Sequence, residues 1–85
     1  MGIERFVWTE HAQARVAERR LGPAEIERAI RERHADRQEN DGRAEWLVSG
    51  VTAGGTAFEA IYDHPHGDDD GAARIVSVWR LDSQA

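Results

Sequence analysis

The chain has 85 residues, enough for one domain that buries about 60–65% of the surface its unfolded form exposes. It contains no cysteine, which excludes a disulfide framework and thiolate metal sites, and no apolar run near the ~20 residues of a membrane span. All 11 basic residues are arginine, and the net charge of −5 divides into +1 over residues 1–34 and −6 over residues 35–85, so the basic footprint of a strong nucleic-acid binder is absent overall.

Ile3 to Trp8 reads as a strand with apolar residues on both faces, as if covered on both sides. Thr9 is a good N-cap, and Glu10 follows where the helix dipole favours an acid. The Ala-, Arg- and Glu-rich run from Ala12 to Arg20 favours helix. Gly22 is expected to end it in a left-handed conformation, and Pro23 to open the next helix. On a helical wheel Ala14, Ala17 and Leu21 share one apolar face, and Ala12 and Val16 a smaller one. His11, Arg15 and Arg19 run down the strip between them.

The second helix, Pro23 to about His34, shows an Ile26, Ala29, Ile30 stripe continued by Arg33, with Glu27 and Arg31 spaced as an i,i+4 pair. Ala35 to Glu39 is ambiguous, with an edge strand as one reading, and Asn40-Asp41-Gly42 is a turn signal. Ala44–Val51 and Thr56–Asp63 alternate as strands, joined by Ala53-Gly54-Gly55. The first sets Ala44, Trp46 and Val48 on one face; the second sets Phe58, Ala60 and Tyr62 on one face. His64 to Gly71 is a loop. Ala73 to Leu81 is the last strand, with Ile75, Ser77, Trp79 and Leu81 on one face and Arg74, Val76, Val78 and Arg80 on the other. The tail, 82–85, should fray. The fold expected over residues 1–85 is α+β: an N-terminal strand, a helical hairpin, then an antiparallel meander of three to four strands with both helices on one face.

Two constellations suggest chemistry. His11 with Arg15 and Arg19 fits an anion or phosphate site, His11 acting as general acid or base. The plainer alternative is a polar bracket tying the helix to Glu59 or Asp63. Tyr62, His64 and Arg74 lie at facing strand ends, and together they supply the base, acid and cation that metal-independent RNA cleavage requires. The plainer alternative makes them a strand aromatic, a turn residue and the partner of a loop acid. Trp46, Trp79, Phe58 and Tyr62 read as core before they read as a base-stacking platform. Arg19, Arg80 and Trp79 complete the binding candidates. His64, His66 and the run Asp68-Asp69-Asp70 include metal-ligand types, but a contiguous acidic run lacks the alternate spacing of a calcium loop and reads as solvated. No cofactor or metal is expected.

The series Thr9-Glu10-His11-Ala12, Arg15, Glu18-Arg19, Leu21-Gly22-Pro23 and Glu25-Ile26 resembles the domain-of-unknown-function 4258 family, and the likeness runs over nearly the whole chain. That family looks like a relative of small bacterial toxins of the RelE, ParE and BrnT type. The resemblance implies a toxin-like domain of a toxin–antitoxin system, cleaving messenger RNA, free or on the ribosome, and restrained by a cognate antitoxin. Of the site candidates only His11, Arg15 and Arg19 match the family pattern residue by residue. The acidic charge and Pro23, in place of the usual Ser or Thr cap, depart from it. The alternative is a non-catalytic interaction module of the same fold. A cytoplasmic protein is expected, with no membrane partner and with a homodimer as one arrangement.

Overall fold

The computed structural model describes residues 2–81, so the tail at 82–85 lies outside the described residues. The elements are β1 (Arg5–Trp8), α1 (Glu10–Glu18), α2 (Pro23–Arg33), a 3-10 turn (His34–Asp36), β2 (Gln38–Glu39), β3 (Trp46–Val51), β4 (Ala57–Asp63) and β5 (Ala72–Arg80). The architecture is α+β, with both helices packed on one face of a five-stranded sheet of order β1-β5-β4-β3-β2. Strands β2 to β5 form the expected antiparallel meander. β1 sits at the edge, parallel to β5, from Arg5 opposite Ala72 to Trp8 opposite Ile75. It is covered on one face only. Phe6 and Trp8 pack on the helix-side core, whereas Val7 points away and is 42% exposed, because among the described residues no second layer lies beyond the sheet.

Thr9 caps α1 as expected: its hydroxyl oxygen accepts from the Ala12 N–H at 3.0 Å. The same hydroxyl lies 3.1 Å and 3.2 Å from the Ile75 and Val76 carbonyls, so the cap also ties the helix to β5. The end of α1 corrects the sequence reading. Arg20, not Gly22, takes the left-handed conformation, with φ of +58°. The Leu21 N–H returns to the Val16 carbonyl at 3.0 Å and the Arg20 N–H to the Ala17 carbonyl at 3.2 Å. This pair of bonds closes the last turn and brings the buried Leu21 against the core that also holds Val16. Gly22, at φ −87°, instead N-caps α2, with Pro23 beginning that helix. A side chain at a left-handed position is strained, so Arg20→Gly should stabilise the protein by about 0.5–1 kcal/mol in a denaturant titration.

The burial of α1 also differs from the wheel. Ala12 and Val16, the smaller face, go inward, and Ala14 and Ala17 are exposed. In α2 the stripe Ile26, Ala29 and Ile30 is buried as expected, but Arg33 is exposed. Glu27 and Arg31 do not pair. The Trp8 indole N–H donates to Glu27 at 2.8 Å, and the Arg31 Nε–H donates to the Ile3 carbonyl at 3.2 Å while its guanidinium lies 5.1 Å over the Phe6 ring. Both side chains are drawn to β1, which passes within their reach.

The main core joins the helices to Val48, Phe58, Ala60, Tyr62, Ile75 and Val78. A smaller cluster on the far face holds Ala44, Ile61 and Val76, flanked by Leu47 and Trp79. Ala44 therefore does not share the face of Trp46 and Val48. The alternation expected of β5 breaks at Val76, which has no counterpart on β4: Ile75 faces Tyr62, and the next pair is Ser77 with Ile61. The extra residue is a β-bulge. Past it, Val78 joins Ile75 on the helix side and Trp79 goes to the far face.

Candidate functional site

The α1 strip resolves into separate local contacts. The His11 Nε2 lies 3.2 Å from the hydroxyl of Ser77, which the bulge leaves buried on β5. Arg15 donates to Glu18 of its own helix at 2.7 Å. Arg19 carries a buried Nε without a hydrogen-bond partner among the described residues. Neither acid expected to anchor the strip does so. Glu59 accepts from the Trp79 indole at 3.0 Å, and Asp63 accepts from the Glu45 N–H at 2.9 Å and from Arg74 at 3.4 Å.

Tyr62, His64 and Arg74 do not converge as a trio. Tyr62 is fully buried beneath the helices, while Arg74, opposite Asp63 on the ladder, pairs with that acid. Adjacent strand positions point to opposite faces, and this separates the tyrosine from the arginine. Trp79 and Arg80 lie toward the other end of the β4–β5 ladder, where Arg80 faces Phe58. The four large aromatics form no platform either: Phe58 and Tyr62 are core, Trp79 is on the far face, and Trp46 has a guanidinium over its ring.

What does gather around Tyr62 is a different set. The 3-10 turn that ends α2 brings His34 to the end of β4, and its Nδ1 lies 2.6 Å from the Tyr62 hydroxyl. The His64 ring stands edge-on to the His34 ring, with centroids 4.7 Å apart. Arg37, one residue past the turn, donates to the His34 carbonyl at 2.9 Å and lays its guanidinium 4.1 Å above the Trp46 ring. Its Nε is buried without a hydrogen-bond partner among the described residues. The Trp46 indole in turn donates to the His64 carbonyl at 3.3 Å. Two half-buried imidazoles, a phenol and a guanidinium thus share one corner of the fold.

The proton inventory of this corner follows from its contacts. Burial pushes the Tyr62 phenol up to about 12, so it keeps its proton at neutral pH. Burial, with the positive charges of Arg37 and His64 adding to it, pulls His34 below the ordinary imidazole range. The His64 Nε2 lies 2.9 Å from the Asp70 carbonyl, which can only accept, so Nε2 carries a hydrogen and Nδ1 is the atom left to exchange one.

The lowered His34 value has a consequence for stability. The folded state prefers the neutral ring, so this contribution is complete above the unfolded value of about 6.5 and is lost as pH falls through the lower folded value. The melting temperature should therefore fall between about pH 7 and pH 5, and by less in His34→Gln, as followed by circular dichroism.

Sequence reasoning found Tyr62 and His64 but missed His34 and Arg37. Their only local signal was an imidazole and a guanidinium three apart in a charged stretch, RERHADR. The loop after β4 is held separately, by an Arg5–Asp69 ion pair and by a turn from His66 to Asp69. Among the described residues no group of three His, Asp or Glu side chains is placed to hold a metal ion.

A family model described as "Domain of unknown function (DUF4258)" matches residues 8–80, a span that contains every residue of this corner. No curated protein and no solved structure matches the chain.

Proposed function

The chain belongs to the DUF4258 family, and from that premise we propose that it is a toxin-like domain of a bacterial toxin–antitoxin system, related to the RelE, ParE and BrnT type, that cleaves RNA without a metal. The observation that supports this reading is the pairing of His34 and His64 beside the buried Tyr62 hydroxyl, with Arg37 at hand. In the proposed reaction the Tyr62 oxygen accepts from the His34 Nδ1–H, leaving Nε2 as the base. His34 Nε2 takes the proton of an RNA 2′-hydroxyl, whose oxygen bonds to the adjacent phosphorus. The bond from phosphorus to the 5′-oxygen breaks, and protonated His64 returns a proton to that oxygen from Nδ1. Arg37 offsets the charge that builds on the phosphoryl oxygens. Tyr62, having no exposed surface, is a positioning residue and touches no substrate. His11, Arg15 and Arg19 are left to bind target or antitoxin.

The test is incubation of the purified protein with RNA in excess chelator. Products ending in a 2′,3′-cyclic phosphate are expected, together with resistance of an oligonucleotide lacking the 2′-hydroxyl at the cut site. Overexpression should arrest growth. The net charge of −5 favours the second reading, a non-catalytic interaction module. Intact RNA together with harmless overexpression would establish that reading in place of the first.

A further inference from the structure

β2 is two residues long and pairs only with Leu47 and Trp46 of β3. Among the described residues no strand lies beside the outer edge of β3 from Val48 to Val51. Open edges are ordinarily blunted by charge, proline or brevity. The outer edge of β1 follows that rule, since Arg5 is tied there to Glu4 and Asp69, and so does β2, which is short and carries Gln38 and Glu39. Val48-Ser49-Gly50-Val51 has neither charge nor proline, and Val51 is 63% exposed.

The open edge also has a wall. Helix α2 lies close over β3 at Gly50, where an added Cβ would come within 2.9 Å of the Ala29 Cβ. Two hollows adjoin the β3 edge: one of about 210 Å³ beside Gly50 and Val51, walled by the flank of α2, and one of about 260 Å³ beside Val48 and Ser49, walled by Arg33 at the end of α2, Asp36 of the 3-10 turn and Gln38 of β2. Arg33 borders both. The other α2 charges here are engaged, Arg28 with Glu32 at 3.8 Å and Glu25 with the Ala53 N–H at 2.7 Å. Arg33 has no hydrogen bond or ion pair among the described residues, which leaves one unspent positive charge in the hollow beside Gly50 and Val51, while the hollow beside Val48 and Ser49 also holds the acid Asp36.

We infer that this groove receives an extended peptide of another protein, added as a strand to β3 between Val48 and Val51, with one carboxylate of the peptide on Arg33. Backbone hydrogen bonds along the edge supply the attachment, and the alternating side chains enter the hollows beside α2. Four residues of edge correspond to roughly 13 Å, which pairs with about four residues of a peptide and leaves one residue of a hexapeptide beyond each end. The inference is independent of RNA cleavage and stands or falls separately.

The test uses the full chain, labelled with ¹⁵N and titrated with an acetylated hexapeptide alternating valine and threonine around one central aspartate. Amide shifts confined to residues 48–51 and the facing side of α2 are expected. N-methylation of alternate peptide nitrogens should abolish them. Replacing the aspartate by lysine should weaken binding roughly fivefold, and Arg33→Glu should reverse that preference. Absence of shifts at millimolar peptide, or shifts indifferent to N-methylation, would overturn the proposal. So would shifts at residues 48–51 on dilution of the protein alone, which would assign the edge to a second copy.

Discussion

Truncating Phe58 to alanine should cost about 3–5 kcal/mol, a large part of the roughly 4–13 kcal/mol that a chain of this length has in total. The ring is fully buried in the main core, beside Gly50 where α2 passes over the sheet. It also fixes how near α2 can come. Gly50 faces it across the β3–β4 ladder, and a Cβ on Gly50 would lie 2.8 Å from the Phe58 Cζ as well as against Ala29. Gly50→Ala should accordingly destabilise by about 1–3 kcal/mol through overpacking. In a Phe58→Leu background part of that clash is gone, so the two changes should be less costly together than their sum. Urea titrations of the four proteins measure the coupling. Strict additivity would mean that the ring does not set the helix height.

His34→Gln should lower RNA cleavage by about 10²- to 10⁴-fold, the range for loss of a general base, with His64→Gln falling in the same range. Neither side chain belongs to the hydrophobic core, so both variants should fold, and the circular dichroism melt is the control. Tyr62→Phe should be milder. It removes the hydroxyl that fixes the His34 tautomer but leaves the imidazole in place, so the acid limb of the pH–rate profile should shift while activity persists. A purely structural role for Tyr62 would lower stability and leave that profile unmoved. Unchanged cleavage by both histidine variants would remove the proposed chemistry from this corner.

The elements were legible wherever their signals are local. Thr9 capping α1, Pro23 opening α2, the Ile26/Ala29/Ile30 stripe and the turns at Asn40–Gly42 and Ala53–Gly55 rest on short-range chemistry. What the chain did not announce depends on residues far apart. Arg20 turns left-handed because Leu21 must reach the core, and Gly22 looked the better candidate only in isolation. The bulge at Val76 reassigns every later side chain of β5, and nothing in the residues Ile75 to Val78 reveals an unmatched position. The site shows the same division. Tyr62 and His64 are neighbours in sequence and were found, whereas His34 meets them 28 residues away from the tyrosine, through the placement of the end of α2. Arg74 was misplaced because the side to which a strand residue points depends on the register.

The partnership of β1 with β5 governs the order in which the molecule can assemble during synthesis. Among the described residues β1 has a single neighbour in the sheet, and that neighbour, β5, emerges after the other four strands. A nascent chain can form its helical hairpin and pair β3 with β4 early, but β1 has no strand to lie against until residues 72–75 have cleared the exit tunnel. Such distant closure is slow relative to local pairing. It also means that a chain truncated before β5 would leave the opening segment without a berth, apolar side chains bare and open to misassociation.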